Sequence, residues 1–245
     1  MTTSRVFQEP YQEQTALSGG ERVRIRLVGP EDKRRLLDGF QRLSADSRYR
    51  RFMSEKKRLT DEELAYFTEM DQVDHFAMGI VELDEKGDEG DGIAVGRFIR
   101  LKEDPECAEV GLTVIDRMQG KGVGRMLLEK LMAAAVERDI RRFRFECLPQ
   151  NQEMRHLVLK VCRDVTFTND AGVMVAEAAL TDRSSLSHGG CTLGVIDGLV
   201  RLMQGVASET LTVQSGIGLE VMRRSLDAPF DPWPGRLDRI PFPSR

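Results

Sequence analysis

Between Arg117 and Leu127 the chain reads RMQGKGVGRML, with Gly120, Gly122 and Gly124 alternating with Lys121 and Val123. The apolar run EVGLTVI precedes it and a strongly helical segment follows. Glycine in or beside a helix costs about 1 kcal/mol relative to alanine, so three in a row point to a use for bare backbone. Amide N–H groups at a helix N-terminus, helped by the helix dipole, form a ready anion site. Glycines remove the β-carbons that would hold a phosphate away from those amides. A dinucleotide fingerprint needs G-x-G-x-x-G, whereas this stretch reads G-x-G-x-G. A nucleoside triphosphate loop needs Gly-Lys followed by Ser or Thr, and here Gly122 follows Lys121. Both familiar phosphate loops fail on spacing. The pattern that remains is Gln119-x-x-Gly122-x-Gly124 between a strand and a helix; the alternative is a flexible turn with no ligand.

The elements around this loop follow from periodicity. RVRIRLV (22–28) alternates like a strand, with Val23, Ile25 and Leu27 on one face. Pro30 opens a helix whose apolar stripe is Leu36, Leu37 and Phe40. LSADSRYRRFM is a mixed segment ending in a basic-aromatic cluster. Thr60 and Glu63 form a capping box for TDEELAYFTEM. HFAMGIVELD and GIAVGRFIRL are strands joined by the acidic, glycine-rich EKGDEGD, and AEVGLTVID is a third strand. A helix runs from about Val123 to Arg138, with Val123, Met126, Leu127, Leu131 and Ala134 at helical spacing. RRFRFECL is a strand, Asn151 begins a short helix through Val161, and DVTFTND with GVMVAEAAL closes as a hairpin. The order predicts an α/β fold: one mixed central sheet flanked by helices, with the glycine loop at its centre.

Residues 1–20 are polar and end in Ser-Gly-Gly, which reads as a flexible tail. The main domain spans 21–180. Residues 181–245 form a C-terminal extension, crowded with proline at its end. Ile196, Leu199, Val200, Met203 and Val206 lie on one face of a candidate helix there, weakened by Gly194, Gly198 and Gly205. A docked appendage, a homodimer contact and disorder are the alternatives.

With 245 residues, a formal net charge of −4 and ordinary apolar content, the chain fits a soluble globular protein and argues against a nucleic-acid binder. No apolar run approaches the ~20 residues of a membrane helix, and the N-terminus lacks a signal peptide's apolar core. The four cysteines, Cys107, Cys147, Cys162 and Cys191, are scattered without metal-ligand or disulfide spacing. A cytoplasmic protein with no metal and no membrane contact is expected.

The Gln119-x-x-Gly122-x-Gly124 pattern at a strand-to-helix junction resembles that of the GNAT superfamily of acyl-CoA-dependent N-acyltransferases, over roughly residues 22–180. The resemblance implies a GNAT fold and acetyl-CoA, or another acyl-CoA, as co-substrate. It places the pyrophosphate on the amides of Gln119, Gly120, Lys121, Gly122, Val123, Gly124 and Arg125. The pantetheine arm would pair with the strand end near Val114, and Asn151 would contact the same arm. LSADSRYRRFM and FIRLKEDPECAEVGLTVIDRMQGKGVG are similar to segments of bacterial GNAT domains of the protein lysine acyltransferase type. In that group the first of these segments borders the acceptor groove, which would give Tyr49, Arg50 and Phe52 substrate contacts; core packing with solvated arginines is the other reading.

An amine such as lysine, pKa about 10.4, is almost wholly protonated at pH 7. Attack on a thioester needs the neutral form, and a buried carboxylate can take the proton. Glu109, within the apolar AEVGLTV, falls on the position where this group carries a glutamate, and is the expected general base; the alternative is a surface glutamate beside Glu103, Asp104 and Glu106. Where many members carry an acidic tyrosine after the helix asparagine, this chain has Val158, and its tyrosines are Tyr11, Tyr49 and Tyr66. The general acid is therefore unassigned. The expected reaction is direct acyl transfer to an amine, a protein lysine or a small molecule; a non-catalytic acyl-CoA-binding regulator is the reading of a different class.

Overall fold

A computed structural model describes residues 5–180. The candidate helix and every other expectation for residues 181–245 lie outside the described residues. In chain order the elements are β1 (Gln12–Ala16), β2 (Arg22–Leu27), α1 (Lys33–Gln41), α2 (Ala45–Phe52), α3 (Asp61–Thr68), β3 (His75–Leu83), β4 (Glu89–Arg100), β5 (Cys107–Val114), α4 (Val123–Val136), β6 (Arg142–Cys147), α5 (Gln152–Val161), β7 (Arg163–Asp170) and β8 (Val173–Ala179). The strands form one sheet in the order β1-β2-β3-β4-β5-β6-β8-β7. Every neighbouring pair is antiparallel except β5 and β6. The α/β fold expected from the element order is therefore present.

Alternation along β4 distributes the helices. Successive strand residues point to opposite faces. A β-carbon on Gly96 would stand 2.8 Å from Leu112 and Leu131 and 3.0 Å from Leu127, so glycine lets α4 lie against the sheet. Arg97, the next residue, points the other way and stacks 4.2 Å over the Phe67 ring of α3. Helices thus cover both faces, and β5 is buried without a break from Cys107 to Leu112, as a central strand covered on both sides must be. Phe76, Phe98, Phe143 and Phe145, all fully buried, run across the sheet with ring centroids 5.0, 5.8 and 6.0 Å apart.

Two local expectations change. Within the flexible tail expected over residues 1–20, the described part from residue 5 holds an edge strand, β1, paired with β2 from Gln12↔Arg26 to Ala16↔Arg22. Phe7 and Leu17 are buried, and the Val6 and Phe7 amides donate to the Glu137 carboxylate at 3.2 and 3.0 Å. The sheet therefore starts before the boundary drawn at residue 21. QEQTA carries no apolar alternation because the strand is half exposed on an edge, so its pairing left no trace in hydrophobicity. The mixed segment LSADSRYRRFM contains α2, whose N-terminus is capped by Ser44 Oγ accepting from the Ser47 amide at 3.1 Å.

At the start of β3, burial pushes the His75 imidazole down to about 3, and the charge of Arg97 adds to the effect against Asp71. Its Nε2 is sealed from solvent. The folded protein then holds His75 neutral between pH 3 and 6.5, while the unfolded chain protonates it below about 6.5. Stability is present above that pH and falls on acidification by up to about 1.4 kcal/mol per pH unit. Urea midpoints at pH 7.5 and 5.5 should differ in the wild type and converge in His75→Gln; an unchanged difference in the variant would refute the assignment.

Candidate active site

The loop before α4 is built for backbone exposure. Gly122 is the N-cap of α4 at φ +85°, a left-handed conformation that a β-carbon disfavours by about 1–2 kcal/mol, and Gly120 sits at φ +74°. Side chains cap α2, α3 and α5 through Ser44, Thr60 and Asn151, whereas α4, like α1, has no side-chain cap. The first-turn amides of α4 are thus the donors that an external anion would satisfy. The loop side chains are turned to other work. Lys121 pairs with Glu21 at 2.8 Å, Arg125 with Glu129 at 3.1 Å, and Val123 is buried.

Gln119 fixes the loop to its surroundings. Its Nε2 donates to the Val114 carbonyl at 3.1 Å, to Asp116 Oδ1 at 3.0 Å and to Ser47 Oγ at 3.2 Å. Asp116 also accepts from the Ser44 amide at 2.6 Å and from the Ser47 hydroxyl. These hydrogen bonds tie the N-terminus of α2 to the glycine loop, across about 70 residues of sequence.

Beside the loop the sheet divides. β5 pairs with β4 all the way to Val114, but with β6 only from Cys107↔Arg142 to Val110↔Phe145. Among the described residues the β6-facing edge of β5 carries no strand partner from Gly111 onward, which leaves peptide groups in position to bond an extended, amide-containing chain. A β-carbon on Gly124 would lie 3.5 Å from Leu157 of α5 and 3.7 Å from Val114. The glycine-built start of α4, the end of β5 and α5 therefore meet at one place.

Glu109 lies on β5 opposite Ile99 of β4 and Arg144 of β6, and is 7% exposed. The surface alternative for it is excluded by that burial. By alternation Glu109, Gly111 and Thr113 share the face covered by α1–α3. Two further charges occupy that face. Arg51, from α2, donates through Nε to Thr113 Oγ1 at 3.1 Å. Burial pushes its guanidinium down to about 10, against the pull of the Glu109 carboxylate. Arg97 is 2% exposed and is pushed down to about 9, by burial first and by the charge of Arg51 second.

A family model described as an acetyltransferase (GNAT) domain matches residues 22–161. The chain belongs to the GNAT acetyltransferase family. Among its relatives is the acetyltransferase Pat of Mycolicibacterium smegmatis, 35% identical over 158 residues; the match covers 64% of this chain and 46% of that protein, so the chain spans about half the length of that relative. The GNAT domain of Streptomyces lividans PAT superposes with a TM-score of 0.63 at 30% identity, covering 71% of this chain and 99% of that domain. A cAMP-binding acyltransferase from Mycobacterium smegmatis superposes at 0.51 with 27% identity, over 81% of this chain and 56% of that structure.

In this GNAT domain Gly124 stands near Val114 of β5 and Leu157 of α5, the helix capped by Asn151. Asn151 Oδ1 accepts from the Met154 amide at 3.1 Å. The acceptor-side candidates separate. Phe52 packs edge-on against Phe40, centroids 5.8 Å apart, and lines a cavity beneath α1–α3. Arg50 turns to Asp46 at 2.8 Å and to Glu153 of α5 at 2.6 Å, and Tyr49 is 39% exposed. Sequence reading passed over Arg97, Thr113 and Asp116. Arg97 carried a signal, being a charge inside the apolar GIAVGRFIRL; Asp116 carried none, since its partners Ser44 and Ser47 lie far away in the chain. Among the described residues no helix is long and apolar enough to cross a membrane.

Proposed function

We propose that this GNAT acetyltransferase moves an acetyl group from acetyl-CoA to a primary amine by direct attack, with a protein lysine as the acceptor. The observation that carries the reading is the uncapped, glycine-built start of α4 beside the unpartnered edge of β5. Amides of residues 119–125 hold the pyrophosphate, and the β5 edge up to Val114 together with Asn151 holds the pantetheine amides. Held there, the thioester lies along the strand that carries Glu109. Glu109 takes the ammonium proton, directly or through a water; the neutral amine attacks the carbonyl carbon, the C–S bond breaks, the coenzyme A thiolate leaves, and the second proton on the nitrogen passes to the thiolate or to water. The thiolate needs little help, since thiols of this kind ionise near pH 8.5, which fits a chain with Val158 at the tyrosine position. Tyr49, Arg50 and Phe52, on the helix tied to the glycine loop, border the acceptor's approach. The protein acceptor is supported by the likeness to Pat proteins. We place the enzyme in the cytoplasm, in keeping with buried Cys107, Cys147 and Cys162, whose thiols burial pushes up to about 11.

Release of free thiol from acetyl-CoA with lysine-bearing proteins, compared with small amines, tests the reaction. Acetyl-CoA binding with no thiol release on any amine would instead favour a regulator. A chain ending at Leu180 should retain acetyl-CoA affinity within about 3-fold, because the described strands and helices of the GNAT domain are complete by that residue. A truncated protein that melts cooperatively yet fails to bind acetyl-CoA would move the boundary into the extension.

A further inference from the structure

Beneath α1–α3 lies a cavity of about 90 Å³, lined by apolar side chains including Phe40, Phe52, Leu59, Phe67 and Val95. Charged side chains also line it. Arg26 and Arg35 meet Asp32 and Glu89: Arg26 grips Asp32 at 2.7 Å and Glu89 at 2.9 Å, and Arg35 reaches Glu89 at 3.2 Å. That group is balanced. Two further guanidiniums, Arg51 and Arg97, line the cavity, Arg51 bonded to Thr113 of β5. Arg97 Nη1 is buried and has no hydrogen-bond partner among the described residues. Its contact with the Phe67 ring supports the flat face of the guanidinium and leaves that edge N–H unsatisfied. A buried donor without an acceptor costs about 1–3 kcal/mol, more when charged, and the charge of Arg51 bears on Arg97 in addition to its burial.

We propose that this cavity is a binding site for a small carboxylate with a short apolar body, its oxygens on Arg97 and Arg51 and its carbons against Phe40, Phe52 and Val95. A carboxylate supplies the two acceptors that match a guanidinium edge, and it would satisfy the Arg97 donor and offset the charge of Arg51 that bears on Arg97. Size sets the body. A cavity of about 150 Å³ holds benzene, so 90 Å³ suits a chain of about four or five carbons. The site needs neither Glu109 nor acyl transfer, so it stands or falls separately from the proposed reaction. The carboxylate has two sources: a free short-chain acid, or an amino acid whose amine is the acetyl acceptor.

Calorimetric titration of the full chain with butyrate and with its neutral isostere butyramide tests the site. Butyrate should bind at least about 10-fold more tightly, the equivalent of one charge-assisted hydrogen bond, and Arg97→Lys, which keeps the charge but loses the fork, should remove most of that difference. Because the two ligands are compared on the wild type, a variant that fails to fold does not spoil the reading. Equal affinities, or binding of neither, overturns the proposal. To separate the sources, norvaline is offered with acetyl-CoA: thiol release that butyrate inhibits competitively identifies an amino acid acceptor, while butyrate binding without norvaline turnover identifies a free acid.

Discussion

Glu109→Gln is expected to bind acetyl-CoA with unchanged affinity and to turn over at least about 100-fold more slowly at pH 7. General-base contributions are typically 100- to 10,000-fold, about 3–5 kcal/mol of barrier. Glutamine keeps the size of the side chain on β5 and removes the proton acceptor. The amine then has to arrive neutral. Its neutral fraction rises about tenfold per pH unit below its pKa of about 10.4, so the variant should regain rate between pH 7 and 8.5 more steeply than the wild type. The window stops there because Arg97, held down to about 9, begins to lose its charge above it. Full activity of Glu109→Gln at pH 7 would remove the carboxylate from the mechanism. Weakened acetyl-CoA binding would move Glu109 from proton transfer to cofactor support.

Gly124→Val should lower coenzyme A affinity at least about 100-fold while the domain stays folded. The new β-carbon makes ordinary contacts, 3.5 Å to Leu157 and 3.7 Å to Val114, and valine in a helix costs less than glycine relative to alanine. The fold therefore has no reason to fail. What changes is the opening itself, where the branched methyls stand between the first-turn amides of α4 and the edge of β5. Losing two hydrogen bonds to a charged phosphate, at about 1.5–3 kcal/mol each, amounts to at least that factor. Gly122 is the poorer test because its left-handed φ of +85° would strain any replacement before a ligand is added. Calorimetric titration with a parallel thermal melt reads both quantities. A Gly124→Val protein that melts like the wild type and binds coenzyme A equally well would refute the pyrophosphate assignment.

Short-range chemistry was legible in the sequence. Thr60 and Glu63 form the capping box read from their spacing, with bonds of 3.2 and 2.8 Å. The alternation of RVRIRLV places Val23, Ile25 and Leu27 in the core, and Gly122 caps α4 where the loop pattern put a helix start. A cap, a turn or an alternation is decided by residues within a few positions of each other, so the residue types themselves carry it. The burial of Glu109 was also legible, since it sits inside the apolar AEVGLTV.

Tertiary structure decided the rest, and the reason is distance along the chain. QEQTA became β1 only because β2 offered a free edge, and a half-exposed edge strand needs no apolar pattern. The opening exists because β6 stops pairing with β5 at Val110, a matter of how two strands diverge rather than of any residue's type. Asp116 joins α2 to the glycine loop from 72 residues beyond Ser44, and Arg51 meets Thr113 across 62. Arg97 and Arg51 share a face because alternation on β4 and the packing of α2 bring them there together. Periodicity reports which face of an element is apolar; which charges meet across that face depends on pairings closed by the whole chain.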